Sequence, residues 1–172
     1  MPADKFTKAA HGPGMGAGEF HHVCGSVIVS KSGPETTVLV ADDQVLVRAG
    51  IAALLQGQPG MRLLDAVADG PSCLDACARG APDLLLLDLQ MPPTDGWQVA
   101  ATVRERHPEV RIVILTASGD PSLARRALEL GCLGFVSKDF VLDELAMALR
   151  SVAAGRIYLS PTVALAAVRP AP

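Results

Sequence analysis

Aromatic residues are scarce. Four Phe, one Trp and one Tyr make up 3% of the 172 residues. Any core must therefore be built from Leu, Val, Ile and Ala, and an apolar content of 49% is enough to build one. Strong net charge is also missing: 15 Lys and Arg face 18 Asp and Glu, a balance of −3. That gives no global pull toward nucleic acid or an anionic membrane. No apolar run reaches the roughly 18 residues of a membrane span. The N-terminus lacks a signal-peptide core, because VCGSVIV is short and follows a Gly/His-rich stretch. The four cysteines, Cys24, Cys73, Cys77 and Cys132, form no Cys-x-x-Cys pair and have no histidines at zinc spacing. They read as reduced thiols of a cytoplasmic protein, with Cys73 and Cys77 one helical turn apart in a core. No G-x-G-x-x-G follows the first apolar run and no Walker lysine motif occurs, which argues against a nucleotide enzyme.

What is present begins at Thr37. Residues 1–35 read as a flexible leader, and His11, His21 and His22 within it as incidental rather than metal-binding. Beyond it, TTVLVA, MRLLDAVAD, DLLLLD, RIVILTA and LGFVS read as strands. Between and after them lie helical patterns: QVLVRAGIAALLQ, PSCLDACARG, DGWQVAATVRERHP, DPSLARRALELG and VLDELAMALRSVAAG. In the first helix Val45, Ile51, Leu54 and Leu55 are expected to share one face, and Asp42 or Asp43 is a candidate cap. Asp95 and Asp120 are placed to cap the third and fourth helices, with Pro121 in the first turn and Gly131 at the end. Strict βα alternation predicts a parallel sheet covered on both faces, here five-stranded and doubly wound. Residues 36–155 form this domain, and residues 156–172 read as a short linker-like tail.

In such a sheet the chemistry lies outside the carboxyl ends of the strands. The first strand ends at Asp42-Asp43, the third at Asp88, the fourth at Thr116, and the fifth leads to Lys138. Asp88 follows four leucines, and a carboxylate left unpaired in a core costs several kcal/mol. The leucines must therefore carry it to the rim of the sheet. Met91-Pro92 shapes the turn beyond, and Gly96 lets the chain bend back into the next helix. Clustered carboxylates stay ionised together only around a cation, and a few hard oxygen ligands suit Mg²⁺. A carboxylate beside such a cation and a lysine is a nucleophile for a phosphoryl group, while Lys138 and the Thr116 hydroxyl would stabilise phosphoryl charge.

The motifs DD at 42–43, LLLLDLQMPPTDG around Asp88, LTAS with Thr116 and GFVSKD with Lys138 resemble the receiver domain of bacterial two-component response regulators. The resemblance implies a flavodoxin-like fold with strand order 2-1-3-4-5. It implies that Asp88 accepts a phosphoryl group from a sensor histidine kinase, with Asp42, Asp43, Asp88 and the Gln90 backbone carbonyl holding Mg²⁺. Thr116 and Phe135 would then be switch residues, and Lys138 would pair with the phosphoryl group. Beyond that transfer and a slow self-dephosphorylation, it implies no enzyme activity. A haloacid-dehalogenase-type phosphatase would need a second Asp where Gln90 stands.

DDQVLVRAGIAALL, Lys138 followed by Asp139, and GRIYLSPTVA resemble the NarL/FixJ branch, which usually continues into a helix-turn-helix domain. Too little chain follows Gly155 for one, so direct nucleic-acid binding by this chain is not expected. The leading expectation is a transcriptional regulator cut short of its output domain. The alternatives are a stand-alone receiver acting by protein contacts and a docking module that takes no phosphate. Output is expected through a phosphorylation-dependent homodimer on the face of the fourth helix, fifth strand and fifth helix, where Arg125, Arg126 and Glu129 are candidate salt-bridge residues.

Overall fold

The computed structural model describes residues 35–164 other than 119 and 162. The expected leader with its histidines and Cys24, and the last eight residues of the tail, lie outside the described residues. The elements run β1 (Thr36–Ala41), α1 (Val45–Gln56), β2 (Met61–Val67), α2 (Gly70–Arg79), β3 (Leu84–Asp88), β4 (Gln90–Met91), β5 (Thr94–Asp95) and α3 (Gly96–Arg106). They continue with β6 (Arg111–Thr116), α4 (Pro121–Glu129), β7 (Gly134–Ser137), a 3-10 turn (Lys138–Phe140), α5 (Val141–Ala153) and β8 (Tyr158–Leu159). The main sheet is parallel with order β2-β1-β3-β6-β7-β8.

Alternation along each inner strand feeds two apolar layers, because successive side chains point to opposite faces. Leu39, Leu85, Leu87, Ile112, Ile114 and Phe135 pack with α2, α3 and α4 on one face. Val38, Val40, Leu84, Leu86, Val113, Leu115 and Val136 pack with α1 and α5 on the other. Cys73 and Cys77 are buried in the first layer, as their one-turn spacing predicted. All five residues of β3 are buried. Each buried leucine contributes about 2 kcal/mol, so the four together outweigh the several kcal/mol of carrying Asp88 with them.

Side-chain caps start three helices. Asp95 accepts from the Trp97 N–H at 3.0 Å and Asp120 from the Ser122 N–H at 2.9 Å, as expected. Asp69 caps α2 by accepting from the Ser72 N–H at 2.8 Å. These bonds hold Asp69 and Asp120 below the usual carboxylate range.

The structure corrects three expectations. The sheet has six strands, not five: Tyr158 and Leu159 pair with Gly134 and Phe135 at its edge. The expected order 2-1-3-4-5 holds for the five long strands, with β8 added outside the last. The N-cap position of α1 is Gln44, without a side-chain cap. Val45 is 67% exposed, while Ile51 and Leu55 are buried, because the packed face runs through Val47, Ile51, Leu54 and Leu55 and Val45 stands about 120° around the helix from Ile51.

A small antiparallel hairpin, β4 and β5, also departs from strict alternation. Its loop is Pro92-Pro93, joined by a cis peptide bond. The hairpin returns the chain to Gly96, where a Cβ would stand 2.6 Å from Leu89 Cα and collide with the Asp88 carbonyl oxygen. Glycine is therefore required where α3 begins against the end of β3.

Candidate functional site

The strand order reverses between β1 and β3, the point where the carboxyl ends of such sheets open a crevice. Asp42 directly follows β1 and Asp88 ends β3, and both are buried. Asp43 is exposed beside them. One carboxylate oxygen from each of Asp42, Asp43 and Asp88 falls within 4.8 Å of the others. Lys138 reaches in from the turn after β7. Its Nζ lies 2.7 Å from Asp88 Oδ2 and 2.8 Å from Asp42 Oδ2.

Backbone donors hold the other carboxylate oxygens. Asp42 Oδ1 accepts from the Gln44 N–H at 2.8 Å, and Asp88 Oδ1 from the Gln90 N–H at 3.1 Å. Arg48, on the first turn of α1, donates to the Asp42 carbonyl at 2.6 Å. That tie was not foreseen, because the apolar spacing of α1 speaks only of packing.

The electrostatics are unbalanced. Burial pushes the Asp88 carboxyl above its usual range; the Lys138 bond and the Gln90 N–H pull against this without cancelling it, and Asp42 adds to the rise. Burial alone lowers the Lys138 ammonium, but the close approach and negative charges of Asp42 and Asp88 outweigh it, leaving lysine above its ordinary value. Three carboxylates and one ammonium leave two negative charges (−3 + 1 = −2). Asp42 Oδ2 pairs with Lys138 in distance but receives no well-directed hydrogen bond. A buried oxygen with spare lone pairs, in an all-oxygen set two charges short of neutrality, fits a small divalent cation.

Thr116 ends β6, buried, in register with Ser137. Its hydroxyl accepts from the Ser118 N–H at 3.2 Å. Phe135 is fully buried in the α2–α4 layer, paired with Ile114. Asp42, Asp43, Asp88 and Lys138 thus meet at one edge of the sheet, Thr116 ends the neighbouring strand at that edge, and Phe135 stands two residues before the end of β7.

The model of the response regulator receiver domain matches residues 38–150. The chain belongs to this family. Among curated relatives, this receiver is 32% identical over 127 residues to the response regulator GacA of Pseudomonas aeruginosa, covering 74% of this chain and 59% of that protein. The chain thus spans somewhat under two thirds of the length of that relative. Among solved structures, a LuxR-family two-component response regulator from Aurantimonas superimposes with a TM-score of 0.74 at 28% identity, covering 77% of this chain and 95% of that one. The receiver domain of the response regulator NarL from Mycobacterium tuberculosis gives 0.67 at 33% identity, covering 72% and 100%. The receiver is related to the NarL/LuxR branch, as its motifs implied. No helix among the described residues is long and apolar enough to cross a membrane.

Proposed function

We propose that Asp88 is the phosphoacceptor of this receiver, charged by a sensor histidine kinase in a two-component pathway. One observation carries the reading: Asp88, at the switch point, shares a lysine with Asp42 inside a cluster of three carboxylates. Asp42, Asp43, Asp88 and the Gln90 carbonyl would hold Mg²⁺. When bound, the cation screens the carboxylates from one another and draws charge from the phosphoryl oxygens. An Asp88 carboxylate oxygen attacks phosphorus in line. The bond from phosphorus to the kinase imidazole breaks, and the imidazole leaves with the electron pair. Lys138 follows the charge from the carboxylate onto the phosphoryl oxygens, and Thr116 donates its hydroxyl to one of them.

The product adds roughly one negative charge at the rim, since the acyl phosphate dianion replaces a carboxylate. Thr116 and Phe135 lie on neighbouring strands and would relay this to the face of α4, β7 and α5, favouring a homodimer there. Apart from the transfer and the slow hydrolysis that releases phosphate and restores the Asp88 carboxylate, the domain acts by contact rather than by catalysis. The test is intact mass after incubation with acetyl phosphate and Mg²⁺. Wild type gains one phosphoryl group (about 80 Da) and Asp88→Asn gains none. No gain in folded wild type refutes the assignment.

A further inference from the structure

The segment after α5 is fastened to the strand that leads to Lys138. Tyr158 and Leu159 pair with Gly134 and Phe135. The Tyr158 N–H donates to the Leu133 carbonyl at 2.9 Å, and the Ser160 N–H to the Phe135 carbonyl at 2.9 Å. Ser160 is fully buried. Its hydroxyl accepts from the Ser137 N–H at 3.0 Å and donates to the Glu144 carboxylate on α5. Val163 closes the segment, fully buried in the same apolar layer as Phe135.

Ser137 is the last residue of β7, and Lys138 is the next in the chain. A buried N–H at that point needs a partner, and the Ser160 hydroxyl supplies it from 23 residues away. Glu144 fixes the direction of that hydroxyl, since its proton goes to the carboxylate and its lone pair is left for the Ser137 N–H. The Val136–Ser137 peptide, one residue before Lys138, is therefore anchored by the tail segment as well as by the sheet.

We propose that Ser160 is a positioning residue for the phosphoryl site. By holding the Ser137 amide it sets where the Lys138 ammonium stands between Asp42 and Asp88. The inference rests on the Asp88 reading above. The domain's chemistry then depends on residues beyond its last long helix.

The test uses the full chain with Ser160→Ala, Ser160→Thr and Val163→Ala. Two quantities are read: the rate of phosphoryl gain from acetyl phosphate with Mg²⁺, and amide hydrogen exchange at Ser137 and Lys138 in metal-free buffer. Ser160→Ala is expected to slow phosphorylation about tenfold, the factor given by losing one good hydrogen bond. It is also expected to speed exchange at those two amides. Ser160→Thr restores most of both, because it keeps the hydroxyl. Val163→Ala loosens the segment but leaves the rate near that of wild type.

A wild-type rate in Ser160→Ala overturns the proposal, and so does a Val163→Ala rate as slow as that of Ser160→Ala. If Ser160→Ala does not fold, Ser160→Cys, with its weaker acceptor, takes its place under the same criteria. Failure of wild type to take up a phosphoryl group is a different result, which removes the Asp88 assignment itself.

Discussion

Asp83 and Asp88 bracket a single strand, and their surroundings push the two carboxyls in opposite directions. At the amino end, Asp83 Oδ2 accepts from both the N–H and the hydroxyl of Thr37 at 2.7 Å, and the Asp83 N–H returns a bond to that hydroxyl at 3.0 Å. Those bonds hold Asp83 below the usual range. The group stands in water, its hydrogen-bond donors are neutral with the Arg111 charge a smaller help, and its task is to tie β1 to β3. At the carboxyl end, burial raises Asp88 and the nearby Asp42 charge adds to it. One edge of the sheet is locally satisfied. The other holds like charges close together in a poorly solvated place. Carboxyls perturbed by burial and a like charge cluster at functional sites.

The sharpest way to break this contrast is to remove the only ammonium seen among the three carboxylates. Lys138→Ala leaves two buried carboxylates facing each other, and stranding buried charge in this way costs about 3 kcal/mol or more. Urea unfolding in metal-free buffer should show that loss, and millimolar Mg²⁺ should recover much of it by binding the folded state. A loss that Mg²⁺ leaves unchanged would mean that Lys138 serves packing rather than charge balance.

A second route is to disturb the backbone that carries Asp88 while leaving every charge in place. Gly96→Ala puts a Cβ into the Asp88–Leu89 backbone. Overpacking of this kind costs about 1–3 kcal/mol. Because the strain falls on the residue after which the turn begins, phosphoryl uptake should drop along with the urea midpoint. Gly80, where an added Cβ meets nothing within 4 Å, is the matched control: Gly80→Ala should leave uptake unchanged.

The satisfied edge gives a smaller effect with a definite pH dependence. Asp83→Ala should cost about 1 kcal/mol at pH 7, the worth of an ordinary exposed hydrogen-bonded carboxylate. A carboxyl whose folded pKa is depressed stabilises the fold above its unfolded pKa, about 3.9, and loses that contribution as pH falls through the folded value. The gap between wild type and Asp83→Ala in urea midpoint should therefore be constant from pH 5 to 8 and narrow below about pH 4. A gap that widened in acid would reverse the assigned direction.

Much of the rim was legible because strand ends are marked by a change of residue type. Leu84–Leu87 stop at an acid, RIVIL stops at Thr116, and GFVS stops at Lys138; one rule about parallel sheets then brings them together. The caps at Asp95 and Asp120 were legible for the same reason, a short acceptor just before a helical pattern. What escaped the reading has no period to display. Tyr158–Leu159 is a two-residue strand, shorter than one full alternation, and only its partner β7 makes it a strand. The β4–β5 hairpin is equally short. Ser160, Arg48 and Asp83 act through bonds to chain far away or to backbone carbonyls, and sequence spacing carries no trace of those. Val45 was misplaced because six residues separate it from Ile51, about 120° around the helix; Val47 takes its place on the packed face.

The smallest effect is expected away from both edges, and it sharpens the comparison by showing what an ordinary surface contact is worth. The Arg126 guanidinium on α4 stacks 4.3 Å from the centre of the Trp97 ring on α3. Between the two helices runs a shallow groove of about 310 Å³, lined by Trp97, Ala101, Arg126, Glu129 and Leu130. A cation over an aromatic face at a partly exposed site contributes about 0.5–1 kcal/mol. Arg126→Ala should lower the urea midpoint by that much. The shift should be the same with and without Mg²⁺, since Arg126 touches neither carboxylate cluster nor strand end. Trp97 is the only tryptophan in the chain, so its fluorescence reports this contact without a label. Emission should change on the substitution. If adding Mg²⁺ with beryllium fluoride, a phosphoryl mimic, moves the wild-type emission toward that of Arg126→Ala, then α4 leaves α3 when the Asp88 edge is filled. An emission that stays fixed would confine the switch to β7 and α5.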